Sequence, residues 1–242
     1  MLKSVVLPGA AVTLAAAALL LPLFGQKAAA QDAQAFVNVV DLEITPASMP
    51  RFLAALKDDG AATIQEDGTQ EFVSSVGQKN KNHVFIFEVF KDSAAWDKHQ
   101  KTATYAKFIG ITMMMIKTYN IRPFTSVALN KGSAPAPQTD PPLVINVDEI
   151  DVADGQIDKF KNAAITLAAA SVKDPSCREF NIAQSQTKQN HVLLLSAFDD
   201  AAALAANQAS DNYKAYQAAT KGMVNQSTAL PLSSVAVLTK GQ

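Results

Sequence analysis

The chain has 242 residues and a formal net charge of −1 with no long run of either sign, a balance that argues against nucleic acid as a partner. Its single cysteine, Cys177, cannot close an internal disulfide, so an oxidising compartment is tolerated without being exploited. The three histidines, His83, His99 and His191, lack the spacing with cysteine that a metal site needs.

Residues 1–30 read as a secretory signal peptide. Lys3 supplies a basic start, Val12 to Leu23 is a largely apolar run, and Ala28-Ala29-Ala30 offers the small residues a signal peptidase cuts beside. Pro22 breaks the run, which falls short of the roughly 20 apolar residues a spanning helix requires. The expectation is a secreted or periplasmic protein, free of the membrane once the signal is removed.

Phe36 to Ile44 alternates and is rich in Val, which predicts a first strand; Thr45-Pro46-Ala47-Ser48 then turns the chain into a helix reaching about Gln65. Phe52, Leu53, Leu56 and Ile64 mark its buried stripe. Glu66-Asp67-Gly68 ends it, and Glu71 to Val76 with His83 to Phe90 reads as a hairpin. Asp92 is placed to cap a second helix running from Ser93 through Trp96, His99 and Tyr105. Ile109 to Ile116 leads into a closing strand near Pro123 to Leu129, and the three adjacent methionines at 113–115 cannot all face one way.

The same unit is then written again. A shift of 108 positions carries Gln70-Glu71-Phe72 and Asn82-His83-Val84 onto Arg178-Glu179-Phe180 and Asn190-His191-Val192, and pairs Asn38 with Asn146, Phe52 with Phe160, Asp92 with Asp200 and Pro123 with Pro231. Two units result, residues 36–130 and 143–239, joined by the proline-rich linker 131–142. Each has the order strand, helix, strand, strand, helix, strand, an α+β ferredoxin-like βαββαβ fold. The strand His83 to Phe90 is apolar on both faces, with Val84 and Ile86 pointing one way and Phe85, Phe87 and Val89 the other. An antiparallel sheet with helices on one face leaves the other polar unless something covers it. The two repeats are therefore expected to pack sheet to sheet as an intrachain pseudo-dimer; whether such pseudo-dimers associate further is left open.

Glu88-x-Phe90-x-Asp92-x-x-Ala95-x-x-x-His99-x-x-Thr102, followed by Tyr105 and Phe108, resembles the signature of the antibiotic biosynthesis monooxygenase superfamily, and Asp67-Gly68 before Glu71-Phe72-Val73 fits the same pattern. The resemblance implies a dimeric α+β barrel, here built from one chain. It also implies quinol-monooxygenase-like chemistry: oxidation of a quinol-like or phenolic aromatic by O₂, with no cofactor and no metal. On that reading His99 is the base or orienting group, Glu88 orients His99, and the Asn38 amide holds a substrate or dioxygen oxygen. Trp96 would stack on the ring, and Tyr105, Phe108 and Phe87 would wall the substrate. The pattern is departed from at Thr104, where many members carry a second histidine. In the second repeat His99, Glu88 and Trp96 are replaced by Asn207, Ser196 and Leu204. Haem breakdown, another chemistry of the superfamily, fits less well because no histidine lies a few turns after Trp96. The competing reading is a non-catalytic periplasmic binding or scaffold protein of the same fold that holds a small apolar ligand.

Overall fold

The computed structural model describes residues 34–132 and 142–240. The expected signal peptide and nearly all of the expected linker lie outside them. The first repeat runs β1 (Phe36–Ile44), α1 (Met49–Thr63), β2 (Thr69–Gly77), β3 (His83–Phe90), α2 (Ser93–His99), α3 (Ala103–Thr112) and β4 (Ile116–Lys131). The second runs β5 (Val144–Val152), α4 (Ile157–Ser171), β6 (Cys177–Ser185), β7 (His191–Phe198), α5 (Ala201–Ala209), α6 (Asp211–Ala219) and β8 (Val224–Thr239).

The single second helix expected in each repeat is two helices. Asp92 caps α2 by accepting from the Ala95 N–H at 2.8 Å. Thr102 then breaks the run: its hydroxyl donates to the His99 carbonyl at 2.9 Å and accepts from the Tyr105 N–H at 3.2 Å, starting α3. Ser210 does the same for Tyr213 in the second repeat. This break leaves His99 as the last residue of α2 and Tyr105 in the first turn of α3.

All eight strands close into one antiparallel barrel in the order β1-β3-β2-β8-β5-β7-β6-β4. Closure depends on the two 16-residue strands. The first part of β4 pairs with β1 and its last part with β6, while β8 pairs with β5 and then with β2, so each repeat lends its final strand to the other. Inside, Val37, Val39, Phe85, Phe87, Val89 and Phe124 pack against Ile145, Val147, Leu193, Leu195 and Leu232. Outside, Val84 and Ile86 meet Phe52, Leu56 and Phe72 under the helices. The two apolar faces of β3 thus have the two partners the sequence demanded. Cys177 is fully buried, and burial pushes its thiol up to about 12, which suits a packing residue.

Two ion clusters span the repeats within the lumen. Lys131, which the sequence placed at the head of the linker, ends β4 with its Nζ 2.6 Å from Glu71 and 2.8 Å from Glu179. Asn181 donates to Glu71 at 3.0 Å. Arg122 bridges Asp41 at 2.5 Å and Glu149 at 2.7 Å, with His83 on Asp41 at 3.0 Å and His191 on Asp151 at 2.8 Å. His83 and His191 are structural members of this cluster. Burial first, and then the facing Glu179, raises the pKa of Glu71.

Replacing Lys131 by Met leaves two buried carboxylates facing each other and should cost about 3–5 kcal/mol of unfolding free energy in urea denaturation. The deficit should be larger at pH 8 than at pH 5, because a carboxyl whose pKa is raised by folding costs stability only where the unfolded chain would ionise it.

Candidate active site in the first repeat

The layer between sheet and helices in the first repeat collects titratable groups at its centre. His99 is only 2% exposed, with Nδ1 at 3.0 Å from Glu66 and Nε2 at 3.9 Å from Glu88. Asn38, on the neighbouring strand, donates its amide to Glu88 at 2.7 Å and keeps its own Oδ1 buried without a partner. Burial raises the pKa of Glu88, against the opposing pull of His99 and then of the Asn38 hydrogen bond. The His99 ring meets Tyr105 edge-on at 5.0 Å and lies 5.4 Å from Phe90. Trp96 is half-buried against Phe36, 5.1 Å between ring centres.

Of the residues expected to form a site, His99, Glu88, Asn38 and Tyr105 come together, with Phe108 and Trp96 on the flanks. Phe87 does not join them. Strand alternation turns its ring into the barrel lumen among Val39, Val73 and Leu195, on the opposite face of the sheet from Glu88.

Two acids that sequence reasoning did not select complete the cluster. Glu66, taken as part of a turn, holds His99. Asp59 lies on the buried stripe of α1 with Phe52, Leu56 and Thr63, is 6% exposed, and its Oδ1 has no hydrogen-bond partner. Desolvation by burial, then the charges of Glu88 and Glu66, push its pKa up to about 7, while His99 pulls the other way. A signal for it was present: Asp59 occupies a core position at helical spacing where the other repeat has Leu167.

Above this cluster a groove of about 320 Å³ opens between α1 and α3. Asp59, Ala62, Thr104, Lys107 and Phe108 border it. His99, Glu88 and Asn38 lie beneath, behind Asp59 and the helices. Asp59 is the one member of the titratable cluster that borders the groove itself.

The second repeat is built differently in the same layer. Asn207 donates to Ser171 at 2.9 Å, and Asn146 donates to Asp148 at 2.8 Å, so the amides there are occupied locally. The loss of charge is not complete, since Asp148 stands where the first repeat has Val40, and Tyr216 replaces Phe108. No imidazole is present among them.

The model of the antibiotic biosynthesis monooxygenase family matches residues 35–110 and again 143–219, together more than half of the chain. The chain belongs to this family. Structures agree on the fold. A candidate monooxygenase from Lactobacillus acidophilus superposes with a TM-score of 0.78 at 16% identity, covering 86% of this chain and 97% of that one. One from Fusobacterium nucleatum gives 0.79 at 16% identity, covering 86% and 96%. An anthrone oxidase-like protein gives 0.61 at 11% identity, covering 88% and 95%. At these identities the likeness concerns the tandem barrel alone. No curated protein matches the sequence.

Asp59→Leu, which copies the second repeat, should raise unfolding free energy by about 1–3 kcal/mol in urea titrations at pH 8 by removing a buried unpartnered acid. Since folding raises this carboxyl from 3.8 to about 7, its ionisation costs nothing below the lower value and the full amount above the upper one. The gain should therefore shrink as the titration is repeated toward pH 4.

Proposed function

We propose that this protein is an exported, cofactor-independent monooxygenase that oxidises a quinol-like or phenolic aromatic with O₂, using a site in the first repeat. The reaction balances without a further reductant: hydroquinone and O₂ give a hydroxyquinone and water, the substrate supplying all four electrons, one oxygen atom entering the ring and the other leaving as water. The task of the protein is to bind the ring, take its hydroxyl proton and keep water away from the oxidised intermediate. Export is proposed from the basic, apolar and small-residue sequence of residues 1–30.

One observation supports this reading above the others. Of two repeats with one fold, among the described residues only the first holds an imidazole fully buried between carboxylates under its helices, His99 with Glu66 and Glu88, beneath an open groove; His191 of the second lies half-buried in the ion cluster instead. Buried ionisable groups are costly and cluster where chemistry uses them. His99 has no face on the groove, so it acts through its neighbours, as the opposing charge beside Glu88 and the groove acid Asp59. Phe108 supplies apolar wall, Tyr105 packs edge-on against His99, and Trp96 braces the middle of α2 against Phe36.

Oxygen-electrode measurements with the purified protein and a panel of hydroquinones should show uptake above the buffer rate. His99→Asn, which copies the second repeat, should lower kcat by about 10²-fold. Absence of uptake with every hydroquinone would favour a binding protein of the same fold. Uptake that the substitution leaves unchanged would keep the activity and remove His99 from it.

A further inference from the structure

Buried polar side chains without partners are distributed very unevenly in this molecule. In the layer between helices and sheet, the first repeat leaves Asn38 Oδ1, Asp59 Oδ1, Thr63 Oγ1, Thr69 Oγ1 and Ser74 Oγ unpaired; among the described residues the same layer of the second repeat leaves none. Native interiors satisfy nearly all such groups, and a cluster of exceptions asks for an explanation. Asp59 and Thr63 stand one turn apart on the inner face of α1, and Asp59 also borders the groove.

The groove has a definite chemical preference. Ala55, Ala62, Phe108 and Ile111 give it apolar walls, while Asp58 and Asp59 give it acid. Glu88 and Glu66 lie beneath, and the cations within reach are Lys107 at the border and His99 below when protonated. A carboxylate or phosphate would meet like charge here. A flat, neutral ring that offers a hydroxyl hydrogen would not.

We propose that Asp59 is the residue that touches the ligand, accepting the hydroxyl proton of a neutral aromatic seated between α1 and α3. This deepens the monooxygenase reading and rests on it for the redox chemistry. In the step itself the ligand O–H bond breaks, the proton joins the Asp59 carboxylate, and the electron pair stays on the ligand oxygen; no electron is transferred. The neighbours that face Asp59 make it a better base than an ordinary aspartate. Burial, Glu88 on β3 and Glu66 after α1 hold its pKa near 7, against His99 on α2, while Tyr105 and Lys107 on α3 and Asp58 on α1 complete its charged and titratable surroundings. Leu167 at the matching position makes the second repeat unable to do this.

The test uses the purified full chain, hydroquinone and hydroquinone dimethyl ether, with binding followed by calorimetry and turnover by oxygen uptake. At pH 8 the protein should bind hydroquinone about tenfold more tightly than the diether, the worth of one charge-assisted hydrogen bond, and Asp59→Leu should erase that preference. The wild type should show kcat/KM rising with pH around pH 7; Asp59→Asn should abolish that rise and lower kcat by about 100-fold with KM little changed. A wild type indifferent to the two ligands, or an Asp59→Leu variant that keeps the preference, would overturn the proposal. Oxygen uptake unaffected by Asp59→Asn would also overturn it while leaving the monooxygenase reading intact. Absence of uptake alongside an intact, Asp59-dependent hydroxyl preference would do the reverse, supporting Asp59 as the ligand's acceptor and ending the redox assignment.

Discussion

The architecture depends on two cations placed where an internal twofold brings like charges together. Glu71 and Glu179 are the same position in the two repeats, as are Asp41 and Glu149, and sheet-to-sheet packing brings each pair together, the glutamates fully buried and the Asp41–Glu149 pair partly exposed. Lys131 joins one pair and Arg122 the other. Their counterparts, Thr239 and Leu230, carry no charge, so each cation stands alone near the axis. A symmetric homodimer has to present any such residue twice. A fused chain can present it once, and the packed lumen follows from that freedom together with the crossing of β4 and β8.

The same asymmetry reaches the outer layers. Both repeats pack helices on the sheet with matching cores, Phe52 with Leu56 in one and Phe160 with Ala164 in the other. What differs is the centre of each interface. In the first repeat Asp59, Glu88 and His99 occupy positions that the second fills with Leu167, Ser196 and Asn207, trading packing for a set of groups whose ionisation depends on one another. Supporting one such cluster is easier when the other half contributes stability without it.

Much of the fold was legible because it is periodic. Alternation marked the strands, the repeat offset marked the duplication, and the doubly apolar β3 required a second sheet. The split of the second helix was less visible, since the Thr102 side chain suits a helix interior or a cap and local hydrogen bonding decides between them. At the site, motif residues led to His99, Glu88, Asn38 and Tyr105, yet Phe87 was placed with them although its odd position on β3 shares the face of Phe85, which the alternation had already turned inward. Asp59 and Glu66 escaped notice because a lone acid on a helix is usually solvated. The difference between Asp59 and Leu167 was the trace left in the sequence. Lys131 was hidden by a polar, proline-rich neighbourhood that resembles a linker up to the last residue of the barrel.

Exchange of the final strands makes dependence between the halves run in one direction. Two copies of the first half would bring their own lysine and arginine to the inner carboxylates. Two copies of the second would confront Glu179 with Glu179 and Glu149 with Glu149, with neither Lys131 nor Arg122 to separate them. The second half is thereby fitted to a mate that carries Lys131 and Arg122, as the half to which it is covalently attached does.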